Sequence, residues 1–440
     1  MSSSNTSTST LPKEQFESQE SLPVSNEKPE VKLNGGFVAW SQVLVSHLLV
    51  VNGFGYFSSF GLFQSHWMSF LDKSASDISW VGSLSLFLLF FLGTLSGPAM
   101  DGGHFRSILF IGCGFQLLGV FTTSAISQYW QLILAQGIVQ GIGNGLLFTP
   151  CIALVSTYFT ERRAFALSLA ACGAPIGGIV FPIISRQLSP SIGYPWTIRI
   201  MGFVMLFNTL VIFALARPRQ FKRSKGPLVD PRAFKEPTYA LFSIGIFFTL
   251  WGVYIAYFYV SATTPTTTFG KEVIHISESG SLTLLMILNA VGIPGRVVPA
   301  YLADAYFGTF NTLLPFVGGA GIMLFAWTGV HGRAAFYVFV ILYGICANAV
   351  QTLFPSTLSQ LTTDLSKVAS RVGMVFTVGS IACLTGPPIA GVLIDLGDGD
   401  YLYAQVFGGS AVFMGFLFLG LARRFQYRQQ RKEQQEPQQA

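Results

Sequence analysis

Charge is what this chain has least of. Asp, Glu, Lys and Arg make up 10% of its 440 residues, against roughly 25% in soluble domains. A soluble fold of this size would need a polar coat that the sequence cannot supply. Phosphate-cradling chemistry is missing too, because no G-x-x-x-x-G-K-[ST] run occurs, so ATP is not a direct energy source here. Neither H-E-x-x-H nor G-x-S-x-G is present, and Cys and His do not cluster at ligand spacing. An intramembrane enzyme is therefore a poor second reading, and no metal or other cofactor is expected. Cysteine is scarce as well. Cys113, Cys151, Cys172, Cys346 and Cys383 all fall inside apolar stretches, where they are expected to pack as small apolar groups without a disulfide framework. Residues 1–32 lack an apolar signal core and are rich in Ser, Thr, Glu and Lys, which predicts a disordered cytosolic tail whose sequon Asn5-Thr6-Ser7 stays unused.

What the chain has instead is apolar length: 51% hydrophobic and 14% aromatic residues. Twelve apolar stretches lie near 37–64, 78–100, 105–126, 130–157, 164–186, 195–216, 239–264, 277–301, 308–328, 334–360, 367–395 and 402–422. Each is long enough for a helix to cross a hydrocarbon core, which takes roughly 20 residues. This predicts an all-α membrane protein with twelve transmembrane helices in two six-helix halves. The organisation that follows is a tail at 1–35, a half at 36–216, a basic cytosolic loop at 217–237, a second half at 238–422 and a cytosolic tail at 423–440. The net charge of +6 does not point to nucleic acid. Of the 26 Lys and Arg, all but Lys73, Arg186, Lys271, Arg333 and the in-span Arg199 and Arg296 lie in the tails and the even-numbered connections. Positive charge on one side predicts cytosolic chain ends, with anionic lipid as a contact of the basic loops.

The two halves repeat one another. Gly141-Ile-Gly-Asn144 through Pro150 recurs as Gly344 through Asn348 to Pro355, Gly173-Ala-Pro175 as Gly386-Pro-Pro388, and Asp101 as Asp304. Parallel repeats with a site between them at mid-membrane are the architecture of alternating-access carriers.

These residues also resemble a family. The stretch Tyr158-Phe159-Thr-Glu-Arg162-Arg163 through Gly173-Ala-Pro175-Ile-Gly177 is similar to the Y-F-x-x-R-R junction of the monocarboxylate transporters. That family lies within the major facilitator superfamily and has fungal relatives. Asn34-Gly35-Gly36-Phe37 with Trp40 resembles its approach to the first span, with Asn in place of the usual Asp, and Gly97-Pro98 through Arg106 resembles the superfamily loop between spans 2 and 3. The resemblance covers nearly the whole chain beyond the tails and implies a major facilitator fold. Three departures bear on mechanism. The family's carboxylate-binding Lys late in span 1 has no counterpart between Lys32 and Lys73, the place of its span 8 Asp, four before Arg296, is Gly292, and its relatives' span 4 Arg looks like Gln136. Proton symport by the family's route is thereby put in doubt.

Polar groups inside apolar spans supply candidates for the site. Asn52, Asn144, Asn289 and Asn348 fall near the middles of spans 1, 4, 8 and 10, where an amide facing lipid would lack partners. They are expected to face the interior, either binding substrate or bonding helix to helix. Tyr56, Gln140 and Gln351 are further lining candidates on the same helices. Tyr254 and Tyr257 of span 7 are placed to stack on a planar substrate, whereas Tyr259 cannot share their face. Arg296, inside span 8, costs roughly 2.5 to 3.5 kcal/mol at a membrane centre. It either attracts a carboxylated substrate or snorkels to the cytosolic surface. Asp101, Arg106, Arg162, Arg163 and Asp304 sit at span ends, and the resemblance implies an ion-paired brace that holds an inward gate shut. His47 is read as a satisfied interior histidine, and the ladder Gly137, Gly141, Gly145 as a close helix contact.

The expected function is therefore secondary active or facilitative transport of a small organic compound, a carboxylated metabolite or secondary metabolite, with export favoured. Proton-coupled uptake of a monocarboxylate is the alternative, and a non-transporting metabolite sensor the reading from another class. Expected partners are the substrate, with a proton as an optional companion, and the lipid bilayer. No nucleic acid and no obligatory protein partner are expected, and the plasma membrane is the expected location.

Overall fold

A computed structural model describes residues 35–159, 162–218, 230–261, 278–362 and 368–435. The N-terminal tail, residues 219–229 of the basic loop and Lys271 lie outside the described residues. Among the described residues, regular structure is helical throughout.

Twelve helices are long and apolar enough to cross a membrane. In chain order, spans 1 to 6 are Phe37–Ser58, Asp77–Ala99, Gly102–Thr123, Tyr129–Tyr158, Arg163–Ile192 and Tyr194–Leu215. Spans 7 to 12 are Pro237–Tyr259, Leu282–Phe307, Thr309–Gly329, Arg333–Gln360, Ser370–Leu396 and Leu402–Arg431. With an even number of spans, the start of span 1 and the end of span 12 lie on one face, called here the terminal face.

Local chemistry sets the breaks. Ser74 and Asp77 form a reciprocal cap that starts span 2. Asp72 closes the preceding helix at φ 50°. Gly193 at φ 79° ends span 5, and Pro195 opens span 6. Two ends differ from the sequence reading. The first crossing is followed by a further helix, Phe60–Leu71, since no Pro interrupts that apolar run. The last helix continues to Gln435 instead of stopping at 422, because Arg, Gln, Lys and Glu after it are all good helix formers.

The repeat is visible in the backbone. Each half breaks its helical path where the matched acidic residues stand, by a kink at Gly103 within Met100–His104 and by a π-helical turn at Ala303–Phe307. Each is accompanied by a positive-φ glycine, Gly103 or Gly308.

Helices in lipid gain little from apolar contact alone, so small residues decide where they meet. A Cβ on Gly55 of span 1 would stand 2.6 Å from the Gly177 Cα of span 5, so these two backbones touch. The Gly137, Gly141, Gly145 ladder lies against Leu84, Ser85 and Leu88 of span 2. Three buried clusters result, two in the first half and one in the second, and the latter also takes in Leu86, Leu89 and Phe90 of span 2. Span 2 thus packs as part of both halves.

Candidate functional site

The halves meet at both ends of a central cavity. Near the terminal face, the Thr94 hydroxyl of span 2 lies 2.7 Å from the Gly373 carbonyl and 2.6 Å from the Thr377 hydroxyl of span 11. Asp304, at the end of span 8, accepts a 2.8 Å hydrogen bond from the Phe165 backbone N–H at the start of span 5. A carboxylate there also complements the helix dipole. Toward the opposite face, Phe57 of span 1 and Phe60 of the helix that follows it pack on Phe258 of span 7 at 6.1 and 6.4 Å between centroids. Asn289 of span 8 donates to the Gly178 carbonyl of span 5 at 3.3 Å.

Between these contacts lie two adjoining chambers. The one nearer the terminal face is walled by Phe54, Phe90, Phe148, Phe354 and Leu167, with Thr352 and Ser356 among its few polar groups. The one nearer the opposite face is of similar size and more polar, lined by Ser58, Gln64, Tyr257, Asn289 and Asn348. Phe54, Ala174, Tyr254, Arg296 and Gln351 border both.

Arg296 stands at that junction, 6% exposed. It does not snorkel. Its guanidinium donates to the Gln351 side-chain oxygen at 3.1 Å and to the Thr352 hydroxyl at 3.3 Å, while Nε has no partner. No carboxylate pairs with it among the described residues. A buried cation with an unfilled donor is costly without a counter-charge. Tyr254 and Tyr257 stand 6.1 Å apart between ring centroids. The Tyr257 hydroxyl faces Gln351 and Asn348 without a formed hydrogen bond. Asn348 bonds its own helix at the Gly344 carbonyl, 2.7 Å away. Its amide also stands 3.0 Å from where a Cβ on Gly292 would be, so it fills the space a side chain at 292 would take.

Four expected lining residues are placed elsewhere. Asn52 donates to the Met205 carbonyl at 3.2 Å and accepts from Asn208 at 2.8 Å, so its amide is satisfied by span 6 and lies outside both chambers. Tyr56 is enclosed by Phe63 and Phe181, at 4.9 and 5.6 Å. Asn144 accepts from Gln116 at 2.7 Å. Tyr56, Gln140 and Asn144 line a separate side pocket of about 230 Å³ in the first half. Tyr259 donates to the Pro387 carbonyl at 2.9 Å, and His47 Nδ1 lies 2.8 Å from the Leu169 carbonyl as a satisfied interior group.

Among the gate residues, Asp304 bridges the halves by accepting from the Phe165 backbone N–H, with Arg163 acting on it electrostatically. Arg163 donates to the Ser156 hydroxyl at 3.1 Å. Arg162 is exposed at φ 53°, the residue that opens span 5, and Arg106 is exposed. The Asp101 side chain lies outside the described residues. The phenyl wall and the Thr94–Thr377 contact were not anticipated, since Phe and Thr inside apolar runs give no sign of which face they occupy.

Comparison with known proteins accords with this architecture. A family model described as the Major Facilitator Superfamily matches residues 45–364. An MFS-type transporter of Gibberella zeae is 42% identical over 395 residues, covering 89% of this chain and 87% of the relative. The MFS-type transporter dbaD of Emericella nidulans is 31% identical over 388 residues, 87% of this chain and 86% of the relative. The agnestins efflux protein AgnL12 of Paecilomyces divaricatus is 32% identical over 388 residues, with 87% and 86% covered.

Proposed function

This chain belongs to the Major Facilitator Superfamily and is a transmembrane transporter of a small organic compound, and from that premise we propose that its cargo is a carboxylated metabolite carried outward. The observation that carries the proposal is Arg296, buried at the junction of two chambers with one donor unfilled and no carboxylate beside it among the described residues. A cargo carboxylate at Arg296 completes its hydrogen bonding and neutralises its charge. Asn289, Asn348, Gln351 and the Tyr257 hydroxyl then bind the polar end of the cargo, and Tyr254 borders both chambers.

Movement follows from the two sets of cross-half contacts. Parting Thr94 from Thr377 and Asp304 from Phe165 opens the cavity to the terminal face, while parting Phe258 from Phe57 and Phe60 opens it to the other. Asp304 serves as the gate element, with Arg163 beside it. The one-sided distribution of Lys and Arg supports cytosolic chain ends, so the terminal face is the loading side and the plasma membrane the site of action. Similarity to the agnestins efflux protein supports the outward direction. The Tyr158–Gly177 stretch supports a place near the monocarboxylate porters within the superfamily.

The test is transport of a labelled monocarboxylate in proteoliposomes, with and without an imposed proton gradient, comparing the native chain with Arg296→Ala. The expected result is saturable flux that the substitution lowers at least about tenfold, the order of a lost charge-assisted bond. Equal flux in both proteins would falsify the role of Arg296.

A further inference from the structure

We infer that the cargo carries a flat aromatic body, and that the chamber nearer the terminal face is its binding wall. This rests on the proposed carboxylate at Arg296 and adds what lies beyond that carboxylate.

Five phenyl rings from both halves form one connected group. Phe376 of span 11 stacks parallel on Phe90 of span 2, with centroids 5.4 Å apart and planes within 10°. It meets Phe148 of span 4 edge-on at 4.9 Å and 85°, and Phe354 of span 10 at 5.3 Å and 63°. Phe54 of span 1 closes the group on Phe148 at 5.6 Å and on Phe90 at 6.2 Å. Phe376 is fully buried and does not border the chamber, whereas Phe54, Phe90, Phe148 and Phe354 do.

The hidden ring therefore holds the other rings in fixed orientation from behind. A wall organised in advance loses little freedom when a ligand arrives. Rings in edge-on and offset arrangements present both electron-rich faces and electron-poor edges, which favours another aromatic system over a saturated body of equal size. The geometry also connects binding to movement. Phe376 belongs to one half and Phe90, Phe148 and Phe54 to the other, so opening to the terminal face breaks ring contacts across the halves. A cargo ring entering there offers new partners to the exposed phenyls. An aliphatic cargo fills the same volume without that complement. The opposite chamber, with Asn289, Asn348 and Tyr257, then takes oxygen-bearing substituents at the far end of the cargo.

The experiment is calorimetric titration of the full-length chain in lipid nanodiscs with three probes on one carbon skeleton: 2-naphthoate, its saturated decahydro counterpart, and neutral 2-naphthamide. Naphthoate is expected to bind about tenfold tighter than the saturated acid, the order expected of two ring contacts. The double substitution Phe148→Leu and Phe354→Leu should erase that preference, so that the two acids bind with equal affinity, and an unchanged monodisperse elution on size-exclusion chromatography shows that the variant is folded. The single substitution Phe354→Tyr, which keeps the ring, should retain it. Naphthamide should bind more weakly than naphthoate, and Arg296→Gln should close that gap. Equal binding of the two acids overturns the aromatic inference and leaves the carboxylate reading intact. Equal binding of naphthoate and naphthamide, unaltered by Arg296→Gln, removes the carboxylate reading and leaves the aromatic one. Failure of all three probes to bind overturns the inference.

Discussion

Asn52 and Asn289 carry the same amide at similar depth in their spans, yet span 6 closes over the first and the cavity receives the second. The difference predicts opposite phenotypes. Asn52→Ala loses its inter-helix bonds to span 6 and should destabilise the protein by about 0.6 to 1.7 kcal/mol. A thermal-unfolding assay in detergent would show this as a lower midpoint, with KM for transport unchanged. Asn289→Ala should instead raise KM with little change in the midpoint; a KM equal to that of the native chain would remove Asn289 from the proposed site. Arg296 was legible from sequence because a charge inside an apolar run must be accounted for. The amides were legible only as interior groups, since the need for a partner does not say which partner. Phe54, Phe90, Phe148 and Phe354 were not legible, because the chain has 41 phenylalanines and an apolar ring is as much at home in lipid as at the cavity wall.

Along whole helices, glycine rather than large apolar side chains fixes the close approaches. Span 1 touches span 5 where Gly55 meets Gly177, and a methyl on either would stand 2.6 Å from the other's Cα. Backbone cannot turn aside as a side chain can, so Gly177→Ala should sharply lower the yield of folded monomer on size-exclusion chromatography. Gly292→Ala meets the Asn348 amide at 3.0 Å, a side chain with rotamers to spare, and should fold with an altered KM. Abundant, well-folded Gly177→Ala protein would show that the helix pair tolerates separation. The span count and the duplicated halves were readable because apolar length and motif spacing survive as one-dimensional signals. Two ends were misplaced, since helix propensity carried the backbone past the apolar run to Gln435, and past Ser58 into Phe60–Leu71. The kink at Met100–His104 and the π-helical turn at Ala303–Phe307 could be anticipated only as matched acidic positions.

For the molecule as a whole, function depends on the halves separating at one face while staying joined at the other. The Thr94 and Thr377 hydroxyl oxygens lie 2.6 Å apart, so the pair Thr94→Cys and Thr377→Cys should form a disulfide on oxidation. Transport should then fall to background and return on reduction; full activity in the cross-linked protein would show that this contact does not open during turnover. Asp304→Asn weakens the bridge to the start of span 5 and should favour opening at the terminal face. Faster labelling of a cysteine placed at Ser356, which borders the nearer chamber, would register that shift.

The unaccompanied charge of Arg296 also has an electrical consequence. A carrier holding a monovalent anion at that site reorients with its central charge cancelled, while the empty carrier reorients with it uncovered. A charge crossing the full field is worth about 2.3 kcal/mol per 100 mV, and any fraction it traverses scales accordingly. Membrane potential should therefore act on the return of the empty carrier and leave the loaded step nearly untouched, making exchange of cargo for cargo less voltage-sensitive than net export.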